Sequence, residues 1–337
     1  MSNSYESLRR AICVSGLSPA MRFSLTKKVL DDGNWDSTDS VIALSELREA
    51  DEVIDNCQRL QILSIPITDV RYPRSLAESD APPSVIYVKG SLTATMPKLA
   101  IGVVGARAAT VDACNRISEI AEVLAFNDVC VVSGLALGID GAAHRGALRS
   151  VQEGTTIAVM AHGLDILYPA SHNKLAQRIV DSGGALISEY PPTTKPLKHH
   201  FLARNRIIAG LSSGVVVAEA GSRSGSLVTA QYALDSGRDV FALLAPEGTD
   251  QTDGCKSLLD QGAIPVTSAA GILREYKIEV RGERPESSSS RKVVIGLGAF
   301  MEITGVSFHE LLRLELDGII ERTAGNSVRV SAALVGQ

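Results

Sequence analysis

Acidic residues are missing from one long stretch of this chain: no Asp or Glu lies between Glu189 and Glu219. A second stretch, residues 85–111, also lacks acids and carries Lys89, Lys98 and Arg107. Aromatic residues are scarce, at 4% of 337 residues, so a Phe inside a basic segment is informative. The five cysteines, Cys13, Cys57, Cys114, Cys130 and Cys255, form no CxxC pair and have no His at ligand spacing. That argues against a metal centre or a disulfide framework and fits reduced thiols. No apolar run approaches the ~18–20 residues of a membrane span. The first residues lack the basic start and apolar core of a secretory leader, so a cytoplasmic, membrane-free protein is expected. The formal charge of -5 argues against a generally basic binder, so any anion footprint has to be local.

That footprint is visible. Lys195, Lys198, Arg204 and Arg206 surround Phe201, with Asn205 between the two arginines. Cations neutralise phosphate while a ring stacks on a base, which suits a single-stranded nucleic acid. Further on, the apolar run 215–218 breaks into Glu219-Ala-Gly-Ser-Arg-Ser-Gly-Ser-Leu and resumes as a helix. A Gly/Ser turn entering a helix, here Ser224, Gly225 and Ser226, presents free N–H groups and a positive dipole end, which also suit phosphate.

Residues 64–277 alternate apolar strand-like runs with amphipathic segments. Strands are expected at 85–88, 99–104, 129–133, 156–160, 185–188, 215–219, 240–244 and 264–266. This pattern predicts an α/β fold, an extended Rossmann-like, doubly wound and mainly parallel sheet, with ligands at the carboxyl ends of its strands. Residues 1–63 read as short helices broken at Gly16–Pro19, either a helix-hairpin-helix-like or SAM-like module or a helical cap on the main domain. Residues 278–292 read as a polar, flexible linker. Residues 293–337 read as a truncated winged-helix-like module, with a helix at 308–316 and a hairpin at 319–330 turning at Gly325-Asn326.

The first strand of the parallel series ends in Gly102-Val-Val-Gly-Ala-Arg107, which lacks the GxGxxG spacing of a dinucleotide site, and no acid follows the next strand. Arg107, next to Gly105 and Ala106, stands where a phosphate meets a helix start. Asp140 and His144, four apart, read as a helix cap and a structural histidine, with an acid/base pair as the alternative. His162 and His172 read as structural, and Ser171 as a helix cap.

In order along the chain, Val103-Val-Gly-Ala-Arg107, Ser133-Gly-Leu-Ala-Leu-Gly-Ile-Asp-Gly-Ala-Ala-His-Arg-Gly-Ala-Leu148, Asp165-Ile-Leu-Tyr-Pro169 with Asn173, Ser188-Glu-Tyr-Pro-Pro192, Phe201-Leu-Ala-Arg-Asn-Arg-Ile-Ile208 and Arg223-Ser-Gly-Ser-Leu-Val-Thr-Ala230 resemble the DprA/Smf family. The resemblance implies a homodimeric, non-catalytic protein without cofactor or metal. Such a protein binds single-stranded DNA and hands it to a RecA-type recombinase during natural transformation. By the same resemblance Arg107 and Lys198 match phosphate contacts, and Phe201 matches the base-stacking aromatic. Ala106, Leu137, Leu202 and Lys256 depart from the family pattern, which makes a DprA-like nucleotide- or DNA-sensing role in a mobile element or defence locus an alternative. A nucleotide phosphoribohydrolase is a third reading. That class carries Pro-Gly-Gly-x-Gly-Thr and a Glu pair where this chain has Gly221-Ser-Arg-Ser-Gly-Ser226.

Overall fold

The computed structural model describes residues 3–92, 99–150, 156–245, 252–281, 292–304, 320–323 and 327–331. The chain divides into two units, Met1–Val280 and Arg281–Gln337.

The first unit opens with three helices, α1 (Asn3–Ser15), α2 (Pro19–Asp32) and α3 (Leu44–Arg59). Pro19 occupies the first turn of α2, where its missing N–H costs nothing, and Gly33 ends that helix with φ 69°. Ala11, Ile12, Val14, Val29 and Ile54 join the same apolar cluster as Ile65 and Val85, and Ser84 Oγ donates to Ala11 O at 2.9 Å. These helices therefore pack directly against the sheet edge formed by β1 (Leu63–Pro66) and, after the short helix α4 (Arg74–Ala77), β2 (Val85–Gly90). The strand β1 escapes a reading of the sequence because it is four residues long and ends in proline, a pattern confined to sheet edges.

The remaining elements alternate: β3 (Ala100–Gly105), α5 (Val111–Phe126), β4 (Cys130–Ser133), α6 (Ile139–Ala147), β5 (Thr156–Met160), α7 (Asn173–Asp181), β6 (Ala185–Ser188), α8 (Lys198–Leu211), β7 (Gly214–Ala218), α9 (Gly225–Asp235), β8 (Asp239–Leu243), α10 (Asp253–Asp260), β9 (Ile264–Val266) and α11 (Ala269–Glu275). Every residue of β4, β5, β6 and β7 is buried, as expected of strands covered on both faces. In α5, Ile117, Ile120, Ala121 and Leu124 recur at helical spacing and all are buried. The eight expected strands are present, most with a boundary shifted by a residue or two.

The nine strands run in the order β1-β2-β6-β5-β4-β3-β7-β8-β9. Pairing is parallel from β6 through β9, and antiparallel for β1 with β2 and β2 with β6. From β3 the chain builds outward through β4, β5 and β6, then returns to β7 on the other side of β3. Strand order therefore reverses between β3 and β7, and the crevice above Gly105 and Ala218 is where such a sheet binds ligands.

The second unit holds β10 (Lys292–Gly296), α12 (Leu297–Thr304), β11 (Ile320–Thr323) and β12 (Ser327–Ser331). β12 lies between β10 and β11, antiparallel to both. β11 and β12 occupy the two arms of the expected hairpin. The expected helix at 308–316, the turn at Gly325-Asn326 and most of the linker lie outside the described residues. Among the described residues no helix is long and apolar enough to cross a membrane.

Candidate nucleic-acid interface

A cavity of about 270 Å³ opens at the strand-order reversal, lined by Gly105, Arg107, Phe201, Asn205, Ser224 and Ser226 among others. Three turns build it. The first follows β3. A Cβ on Gly105 would lie 2.1 Å from Ala218 O, so only glycine lets β3 and β7 close at that level. Thr110 caps α5, its side chain accepting from Ala113 N at 3.2 Å. Between Gly105 and Thr110, Ala106 is half-buried and Arg107 is exposed.

The second turn follows β7. Glu219 leaves the strand with φ 47°, and its carboxylate accepts the Thr110 amide at 2.7 Å and the Thr110 hydroxyl. Ser224 caps α9, its Oγ accepting from Ser226 N at 3.3 Å and lying 2.7 Å from Ser226 Oγ. Gly225 is exposed at the helix start.

Helix α8 supplies the third wall. Phe201, Leu202, Asn205 and Ile208 form one stripe of α8 along the cavity. Arg107 Cζ sits 5.3 Å from the Phe201 ring centroid, within cation–π range. Tyr168 meets the same ring edge-on at 5.8 Å and is 47% exposed. Lys198, one turn before Phe201, is exposed. Asn205 Nδ2 donates to Gly225 O at 3.0 Å and ties α8 to the α9 turn.

Two of the expected contact residues have partners within the protein. Arg204 is buried, and its guanidinium donates to Gly134 O at 2.8 Å and to Val159 O. Burial, partly offset by Asp140, pushes its pKa down to about 10. Arg204 therefore charges the cavity floor with its Nη1 and Nε engaged by Gly134 O, Val159 O and Asn205 Oδ1. Arg206 lies on another side of α8 and pairs with buried Glu189, which also faces Arg22 at 3.7 Å. The acid that bounds the acid-free stretch is thus the partner of one of its cations.

The neighbouring polar groups are structural. Asp140 lies inside the first turn of α6 and accepts from the Gly134 and Ala136 amides at 3.1 and 3.4 Å, bracing the loop and not capping the helix. Burial raises its pKa, and Arg204 opposes that shift. His144 bonds through Nδ1 to Thr156 Oγ1 at 2.8 Å, so it makes no pair with Asp140. His162 and His172 bond to the carbonyls of Gly163 and Leu135 at 3.0 and 2.9 Å. Ser171 sits inside a 3-10 turn, and His172 occupies the N-cap of α7. Tyr168, Leu202 and Thr229 join the site although the sequence gives them no binding role, because ring contacts and cavity walls depend on distant segments meeting.

A mainly parallel α/β sheet with a small cleft at its reversal point, lined by Gly105, Arg107 and Phe201, defines a Rossmann-like protein. The DNA recombination-mediator protein A family model matches residues 64–277, and the chain belongs to that family. It is 44% identical to DNA processing protein DprA of Streptococcus pneumoniae over 215 residues, 64% of this chain and 74% of that protein. It is 38% identical to protein Smf of Escherichia coli over 293 residues, 80% of this chain and 78% of that one. The solved S. pneumoniae DprA superposes with a TM-score of 0.65 at 34% identity, covering 83% of this chain and 99% of that one. DNA processing protein A from Helicobacter pylori, described for its single-stranded DNA binding mode, gives 0.57 at 28% identity, covering 64% and 95%.

Proposed function

We propose that this chain is a non-catalytic, sequence-tolerant single-stranded DNA-binding protein that acts as a homodimer and passes the strand to a RecA-type recombinase. The observation that carries the binding step is the Arg107 guanidinium 5.3 Å from the Phe201 ring centroid at the mouth of the cleft. A cation and a ring in contact offer one nucleotide both a phosphate partner and a stacking surface, with no demand on base identity. The α9 N-terminus, with Gly225 exposed at its start, adds a positive dipole end to the opposite wall, while the Ser224 and Ser226 amides are held within the turn. Lys198 extends the cationic rim. The solved H. pylori relative supports the same ligand class, and the family description, a DNA recombination mediator, supports a role in recombination.

Asp140, the carboxylate lining the cavity among the described residues, has one of its two oxygens, Oδ2, bound by two loop amides and is not paired with a second acid there, which disfavours the phosphoribohydrolase reading. A titration of single- against double-stranded oligonucleotides across a salt series tests the proposal. Tighter binding of single strands, independent of sequence and weakened by salt, is expected. Preference for a free mononucleotide over oligonucleotides would replace it with the sensing role, and release of free base from a nucleoside monophosphate with the enzyme.

A further inference from the structure

At the mouth of the cleft Phe201 meets a second ring. Tyr168 approaches it with centroids 5.8 Å apart and the ring planes at 62°. Of the Phe, Tyr and Trp side chains among the described residues, the exposed ones are Phe23, on α2, and Tyr168. Rings that meet edge-on do not cover each other's faces as stacked rings do. Tyr168 therefore offers solvent an open ring beside the one already assigned to a base. The ring is carried by the loop after β5. Because β3, β4 and β5 are parallel neighbours, their carboxyl ends share one edge of the sheet with the cleft. Gly163 N donates to Thr194 O at 2.9 Å, Thr193 N to Asp165 Oδ1 at 2.8 Å and His172 N to Pro169 O at 2.9 Å, which braces this loop on both sides of Tyr168. A Cβ on Gly163 would lie 2.7 Å from Pro191 O, so the loop closes on its neighbour only with glycine there. A ring on a fixed loop gives up little conformational freedom when a base stacks on it.

The angle decides which nucleic acid fits the two rings. A base lies parallel to the ring on which it stacks, so two bases, one on each ring, are fanned apart by the 62° between the rings. Successive bases of a duplex stay parallel at ~3.4 Å and cannot fan in this way without unpairing. A single strand can splay neighbouring bases onto separate aromatic side chains. Backbone cations, by contrast, draw on the charge of either form.

We propose that Tyr168 is a second base-stacking ring, taking the base next to the one on Phe201, and that the angle between the two rings makes the site selective for single strands over duplex. This rests on the cleft reading given above and adds to it the residue that discriminates strand state. Stacking on a ring face tolerates any base, so the second ring brings no sequence preference.

The test titrates the full-length protein with an oligothymidylate of about fifteen nucleotides, a duplex of the same length, and a strand of that length whose nucleotides lack bases. Its variants are Tyr168→Ala, Tyr168→Leu, Tyr168→Phe, Phe201→Ala and the double variant Tyr168→Ala with Phe201→Ala. Tyr168→Ala and Tyr168→Leu should lose roughly 5- to 150-fold on the oligothymidylate, the range of one stacking contact. Their salt slope should not change, because no cation is removed. Leucine keeps apolar bulk against Phe201 without a planar face, so Tyr168→Leu should melt as wild type does. Tyr168→Phe should keep most of the affinity. The duplex and the base-free strand should bind every Tyr168 variant as they bind wild type, so the preference for single strands falls by the same factor. In the Phe201→Ala background, Tyr168→Ala should weaken binding further; no further loss would mean that Tyr168 only holds Phe201 in place, and overturns the proposal. Wild-type oligothymidylate affinity in Tyr168→Leu overturns it too, as does an equal loss on the base-free strand or the duplex. If Phe201→Ala weakens binding and the Tyr168 variants do not, the cleft reading stands without a second ring. If Phe201→Ala binds as wild type does, the stacking part of the cleft reading fails and the two-ring site fails with it. Wild-type protein that binds the duplex as tightly as the oligothymidylate removes both.

Discussion

Glu219 Oε2 accepts the backbone amide of Thr110 at 2.7 Å, and its other oxygen accepts the Thr110 hydroxyl. One residue leaving β7 thus fixes the start of α5, 109 residues earlier in the chain, and with it the turn that presents Arg107. A hydrogen bond to a charged group contributes about 1.5–3 kcal/mol, less where water reaches it as it does here. Glu219→Ala should therefore lower the melting temperature by a few degrees at about 2–4 °C per kcal/mol for a protein of this size. Calorimetry showing an unchanged melting temperature would mean that the Glu219–Thr110 pair does not hold the turn.

Replacing Arg107 or Lys198 with Ala should weaken binding to every single-stranded sequence alike. The slope of log affinity against log salt should become shallower by about 0.7 for each cation removed. Equal slopes in wild type and both variants, with intact circular dichroism, would remove both residues from the phosphate track.

Phe201 is half-buried, so stacking and packing predict different results. Base stacking contributes ~1–3 kcal/mol, which gives Phe201→Ala a loss of roughly 5- to 150-fold in single-strand affinity. Phe201→Tyr and Phe201→Trp should retain most of it. A lowered melting temperature with affinity per folded molecule preserved would assign the ring to packing.

Arg206 should behave oppositely. Its partner Glu189 has a side chain only 3% exposed, and losing one member of a buried pair costs about 3–5 kcal/mol. Because Arg22 also faces Glu189, the lower end is expected for Arg206→Ala. Folded Arg206→Ala should bind single strands as wild type does. A strong drop in affinity at unchanged stability would return Arg206 to the interface.

Acid sensitivity should trace in part to His144. Burial, reinforced by His172, pushes its pKa down to about 3, well below that of the unfolded chain. Between about pH 6.5 and 3 the unfolded state binds a proton that the native state refuses, so stability falls as pH falls through that window. The slope for one such group reaches about 1.4 kcal/mol per pH unit. Thermal melts from neutral to acid pH should show a shallower decline in His144→Gln than in wild type. Parallel declines would exclude His144 as a source.

The parallel strands were legible because a strand covered on both faces must be apolar at every position, as in Gly214–Ala218. The turn at Ser224, Gly225 and Ser226 was legible because glycine and a capping serine before a helix have local causes. Arg107 was legible as the residue after a strand end. These features depend on neighbours in sequence, so the sequence by itself determined the sheet, the helix starts and the cluster of cations around Phe201. Which cation faces outward was a different matter. Lys195, Lys198, Arg204 and Arg206 look equivalent along the chain, but α8 turns about 100° per residue, so neighbouring cations point to different sides. Arg204 meets the carbonyls of Gly134 and Val159, and Arg206 meets Glu189, in pairings that exist only after β4, β5 and β6 have assembled beside α8. The tertiary structure alone brought Arg107 over Phe201, 94 residues away in sequence (201 − 107). Long-range packing made those choices, because a charge finds its partner in space and the sequence carries no record of that distance.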